Sequence, residues 1–159
     1  VITIRQTGMA EVTTMLSQLL PAAEDISAAF PEMEAAFRQM ETAAFLSEGA
    51  STDAGAWRPL SAGYAAWKRS RFPGKTIGRL SDQLFHSLVR RGPGSYVETA
   101  PRRLVMGTAV PYAGHVQAVR PVISITNRQA AQFTSILHRY FNRRIRTSLG
   151  RRAQPAAAA

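Results

Sequence analysis

Asp82 and His86 stand four residues apart in GRLSDQLFHSLV, with Ser87 beside the histidine. On a helix this spacing puts a carboxylate and an imidazole on one face. That is the beginning of an acid–base pair or of a metal site, but only the beginning. A zinc site needs further ligands that no spacing here supplies, and a nucleophilic triad is defined by geometry rather than by nearness in sequence. His115 falls in PYAGHVQ, which reads as a turn, and His138 lies among aromatic residues; both suit packing or hydrogen bonding better than general-base work. The glycines of RRGPGS and FPGKTIG do not form a phosphate loop, because Lys75-Thr76 lacks the required Gly-rich turn and following helix. There is no cysteine, which excludes disulfides, thiolate ligands and a cysteine nucleophile. No enzyme activity, cofactor or metal is expected, and the function is sought in binding.

Charge is the strongest compositional signal. The net charge is +10, yet residues 1–56 hold eight acids and two bases, whereas residues 57–159 hold eighteen bases and two acids. Such a division suits either a polyanionic partner or contact between acidic and basic surfaces of neighbouring subunits. All but two of the later bases are arginine, whose planar fork pairs with carboxylate as well as phosphate. No apolar run reaches the ~20 residues of a membrane span. VITIRQTG lacks the basic flank and apolar core of a signal peptide, so an intracellular, soluble product without membrane contact is expected.

The elements that would position these residues read as one α+β domain over 1–150, followed by a low-complexity, disordered tail at 151–159. VITI reads as a short strand, and residues 9–20 carry helical apolar spacing. Over 22–47, Phe30, Met33, Phe37, Met40 and Phe45 form a stripe, with Pro31 restarting the helix and an acidic outer face. WRPLSAGYAAWK (57–68) enters a short helix capped by Ser61, and RSRFPGKTIG (69–78) reads as an exposed, mobile loop. Ser81 or Asp82 opens the next helix. SYVETA, RLVMGTAV and VISIT read as strands of a small, mostly antiparallel sheet. Thr126 and Gln129 form a capping box before a basic C-terminal helix. There Phe133, Ile136, Leu137, Tyr140 and Phe141 oppose Arg139, Arg143 and Arg146.

Three of these stretches resemble the virion morphogenesis, or tail-completion, family of tailed bacteriophages, which is related to neck and minor tail proteins. STDAGAWRPLSAGYAAWK looks like its block of Asp and Gly leading into Trp-x-Pro-Leu-Ser and on to Tyr or Thr and Lys. GRLSDQLFHSLV resembles its Gly-x-Leu-x-x-Ser-Leu helix. PYAGHVQ with RPVISIT resembles its Tyr-Ala-x-x-His-Gln…Arg-Pro block. The blocks run from Asp53 to Thr126. Ile77 replaces a common Ser or Thr, and VQAV lacks the usual glycines.

The resemblance implies a structural virion protein. It would form a homo-oligomeric ring at the head–tail joint, bind connector and tail proteins there, and surround the channel for DNA. Its location would be the virion, and the host cytoplasm during assembly. Trp57, Pro59, Leu60, Tyr64 and Trp67 are the expected packing anchor, with the aromatic rings inward. Arg69, Arg71, Phe72 and Lys75 are the interface-loop candidates, ordering on contact with a partner. Arg139, Arg143, Arg144 and Arg146 are candidates for contact with DNA or an acidic partner. They also carry the alternative reading, a small basic nucleic-acid-binding module, although no docking motif accompanies them.

Overall fold

Proline has no N–H to donate, and its fixed φ suits a first helical turn. Helix α1, Phe30–Leu46, accordingly has Pro31 in its first turn, and a 3-10 turn at Ser27–Ala29 leads into it. The computed structural model describes Ser17, Leu20 and residues 23–150, with side chains through Thr147. The strand expected at 1–4, most of the helix expected at 9–20 and the tail at 151–159 lie outside the described residues. Four more helices follow: α2, Ala62–Arg71; α3, Gln83–Val89; α4, Ala113–Val119; and α5, Asn127–Gly150. Between α3 and α4 lies an antiparallel hairpin of β1, Ser95–Ala100, and β2, Arg103–Thr108, in which Ser95 pairs with Thr108 and Ala100 with Arg103. The fold is α+β.

Two expectations for the later segments are corrected. PYAGHVQ is not a turn but the start of α4. VISIT is not a strand among the described residues, and the sheet has two strands. The Gln117 side chain takes over the pairing there. Its Oε1 accepts from the N–H groups of Val122 and Ile123 at 2.9 Å each, and its Nε2 donates to the Ile123 carbonyl. Backbone groups satisfied by a side-chain amide need no ladder. The capping box is present: Gln129 N–H donates to Thr126 Oγ1 at 3.0 Å, and Gln129 Oε1 accepts from Thr126 N–H at 2.7 Å.

Helix α1 packs on α3 and α5, and α3 lies against the hairpin. One core cluster contains Phe37, Phe45, Trp57, Leu84, Leu88, Val110 and Val122. A second joins Ala29 and Ala36 to Ile136 and Tyr140 of α5, and Tyr140 Oη donates to the Asp25 carbonyl. Trp57 is 4% exposed. Its ring meets Phe45 edge-on at 5.3 Å, its Nε1 donates to the Pro121 carbonyl at 3.0 Å, and its N–H donates to the Glu48 carbonyl. Gly49, at φ +87°, lies so close to the indole that a Cβ would stand 2.4 Å from Trp57 Cδ1.

The buried stripe of α1 is not wholly apolar, as its sequence suggested. Glu34 and Glu41, seven residues apart, share it with Phe30, Phe37 and Ala44. Glu34 is held by Arg91 and Arg38, and these hydrogen-bonded guanidinium groups pull its carboxyl down to about 2. Arg38 also donates to the Leu88 carbonyl and to Ser95 Oγ, so this cluster joins α1 to the end of α3 and to β1. Glu41 has no such cation, and its Oε2 is without a hydrogen-bond partner among the described residues. Burial pushes its carboxyl up to about 8, as desolvation does to an unpaired acid.

Gly49→Ala combines a disfavoured φ with a clash against the core indole. It should lower stability by roughly 2–4 kcal/mol, read from the urea midpoint. Glu41 sets a pH dependence of definite sign. Below its ordinary value of 4.5 it is protonated in both states; above that value only the unfolded chain releases the proton, so stability falls until about pH 8. Glu41→Gln should therefore match the natural protein at pH 4 and exceed it at pH 8 by on the order of 2–4 kcal/mol in urea titrations.

Candidate functional site

The three sequence blocks meet at one place. A surface groove of about 350 Å³ is lined by Leu60, Tyr64 and Lys68 from the first block, by residues 77–81 from the second, and by Tyr112, Val116 and Arg120 from the third. The volume lies at the lower end of the range for small ligand sites. Its rim is apolar and exposed, since Tyr64, Leu80 and Tyr112 each keep 40–42% of their surface in water.

Local sequence explains how each wall forms. Helix α2 presents Tyr64 and Lys68 one turn apart. The second wall is the connection from α2 to α3. It turns at Gly74 and Gly78, both at positive φ, and at Asp82, whose φ is 60°. Asp82 caps no helix through its side chain. Its carboxylate instead binds Arg79 Nε at 2.9 Å and Lys75 Nζ, and these hydrogen bonds, Arg79 first, lower it to about 2. The third wall is α4, with Tyr112 at its start and Arg120 just past its end. Arg120 Nε donates to the Arg58 carbonyl at 3.0 Å, joining the third wall to the first block.

The loop expected at 69–78 is corrected at its start, while residues 72–78 are irregular and none of the ten is buried. Residues 69–71 are the last turn of α2. The remainder is pinned: Lys68 Nζ donates to the Thr76 carbonyl at 2.6 Å, and Ile77 N–H donates to Glu48 Oε1 at 2.7 Å. Gly78 lies so close to the core that a Cβ there would stand 3.2 Å from the Phe45 ring. Of the interface-loop candidates, Arg69 and Arg71 project into solvent. Phe72 meets Trp67 edge-on, and Lys75 is engaged by Asp82.

The anchor divides. Trp57 is core and Leu60 lines the groove, but Pro59 is exposed. Tyr64 and Trp67 do not point inward; they are 42% and 44% exposed and stack on each other at 5.3 Å. Helical spacing identifies a shared face without saying whether that face is covered. Of the C-terminal arginines, Arg139 and Arg143 pair with Glu32 across to α1, and Arg144 lies over the Tyr140 ring at 5.5 Å. Arg146 is exposed.

Lys68, missed as a site residue by sequence reasoning, is 5% exposed. Its position among Tyr64, Trp67 and the arginines hid it, because a lysine at a helix end ordinarily reaches water. Burial lowers its pKa; Glu48 opposes that shift and Arg120 adds to it. Elsewhere, the Asp82 carboxylate is bound by Lys75 and Arg79 rather than by His86, and Ser87 Oγ is bound to Thr108 Oγ1 at 2.7 Å. Among the described residues no three His, Asp or Glu side chains are grouped to hold a metal ion, and no helix is long and apolar enough to cross a membrane. No family model, curated protein or solved structure matches the chain.

The two tryptophans should separate in fluorescence. Trp67→Phe should remove the iodide-quenchable emission and alter stability by less than about 0.5 kcal/mol, as for a surface substitution. Trp57→Ala should remove the protected emission and cost roughly 3–5 kcal/mol.

Proposed function

We propose that the protein is a structural component of a tailed-phage virion, of the neck or tail-completion type. In this reading it assembles into a ring at the head–tail joint and binds connector and tail proteins around the DNA channel. The observation that carries the reading is the convergence of the three resembling blocks on one groove. A stretch that merely stabilised the fold would have its aromatic residues in the core, whereas Tyr64, Leu80 and Tyr112 remain in water. Exposed aromatic and aliphatic groups beside arginine have the composition of protein–protein contact sites.

Charge fits the same reading in a modified form. Several acids of the first part of the chain are engaged within it, Glu32 and Glu34 by arginines from the later part. Among the described residues Arg58, Arg69, Arg71, Arg90, Arg128 and Arg146 have no carboxylate within 4.0 Å, so a basic surface remains for partners or for DNA in the channel. The alternative, a free-standing nucleic-acid-binding module, draws on the same surplus. Two of its four arginines, Arg139 and Arg143, are however held by Glu32.

Cryo-electron microscopy of purified virions should place the protein as a ring between head and tail, and loss of its gene should leave filled heads and tails unjoined. Absence from the particles, together with a persistent monomer in light scattering, would overturn the proposal.

A further inference from the structure

Lys68 is the one buried cation among the described residues. A protonated ammonium carries three donors. One goes to the Thr76 carbonyl, and no carboxylate of the described residues lies within ion-pair distance. Glu48 acts on it only at longer range, with one carboxylate oxygen accepting from Ile77 N–H. Burying a charge without a partner is costly, and Lys68 lines the groove rather than a closed cavity. Arg120 lines the same groove and has only its Nε engaged, so its terminal nitrogens are available. Arg79, the third cation of the lining, is engaged by Asp82 and packs over the Phe85 ring at 4.2 Å. No acidic side chain lines the groove.

We propose that the groove is a docking site for an extended segment of another protein, which sets an Asp or Glu carboxylate onto Lys68 and Arg120. Aliphatic side chains flanking that carboxylate lie against Tyr64, Leu80 and Tyr112. The inference rests on reading the groove as a docking surface, and not on the protein's place in a virion.

The chemistry favours this occupant over two others. Nucleic acid is held chiefly by exposed cations meeting successive phosphates. Here the cation is buried, and Leu60, Ile77 and Val116 accompany it as apolar lining. A second copy of this chain is a poorer source: of its nine described acids Glu32, Glu34, Asp82 and Glu98 are ion-paired internally, Glu41 is buried, and Asp25, Glu48 and Asp53 accept backbone N–H groups, which leaves Glu24. A carboxylate from a different protein completes the buried cation, while its apolar neighbours cover the rim.

Selection of a random dodecapeptide display library on the purified protein tests this, with the Lys68→Met variant as the counter-target. Enriched peptides should carry an acidic residue beside aliphatic ones. A synthetic copy of the strongest should bind with micromolar affinity in fluorescence anisotropy. Its binding should weaken at least about tenfold with Lys68→Met, with Arg120→Gln, or when its acid is changed to the amide, as expected when one member of a desolvated charge pair is removed. Amide shifts should move at Tyr64, Lys68 and Tyr112. Should Lys68→Met fail to fold, Arg120→Gln and Tyr112→Ser serve as counter-targets. Enrichment without an acid, binding indifferent to these changes, or shifts confined to another face would overturn the proposal. Tighter binding of a twenty-nucleotide oligothymidylate at the same residues would replace it with a nucleic-acid site. Self-association abolished by Arg120→Gln would replace it with an interface between copies. Each result is obtained on the isolated protein, so it stands apart from whether virions contain it.

Discussion

The seat of Trp57 is the constraint on which the rest of the structure depends. Its indole lies against Gly49, meets Phe45 edge-on and donates to the Pro121 carbonyl. One side chain thereby joins the end of α1, the connection into α2, and the segment between α4 and α5. Gly78 enters the same packing from the α2–α3 connection. Three of these segments are irregular, with no ladder or helix to fix them. A large ring with one polar atom suits this role, because its area packs against several partners while its N–H fixes the orientation. The groove is built on the outside of this junction, and its shape follows from how the junction closes.

Ion pairs complete what apolar packing leaves open. Glu34 draws Arg38 and Arg91 together at the meeting of α1, α3 and β1, and Asp82 gathers Lys75 and Arg79 into a tight connection. Glu41, on the same face of α1 as Glu34, has no cation. The two acids differ in their partners more than in their location, so guanidinium hydrogen bonds lower the pKa of one and burial raises that of the other. Lys68 presents the reverse case, a buried cation without a close acid. Its position in the groove links the electrostatics of the fold to the proposed docking chemistry.

Much of the secondary structure was legible because it rests on local rules. Pro31 in a first turn, the Thr126–Gln129 cap and the two strands SYVETA and RLVMGT each follow from a few neighbouring residues. The misread segments are those in which a distant group intervenes. VISIT has strand-forming residues, but Gln117 takes its N–H groups first. RSRFPGKTIG has the composition of a loop throughout, yet its first three residues complete α2, and Glu48 and Lys68 accept from and donate to the backbone that follows. The site was partly legible: the blocks were visible as motifs, while their meeting around Lys68 was not.

By itself, the sequence determined the absence of thiol chemistry, the basic surplus, the α+β class and the spacing of the motif residues. These depend on composition and on interactions a few residues apart. Only the tertiary structure decided which aromatic residues are core and which are surface. Trp57 and Trp67 are ten positions apart and chemically identical, yet one is enclosed and the other half in water. The difference arises from Phe45, Gly49 and Pro121, which close around the first. Burial is a property of what arrives from elsewhere in the chain, and for that reason the exposed pair Tyr64 and Trp67 could be read from sequence as an anchor.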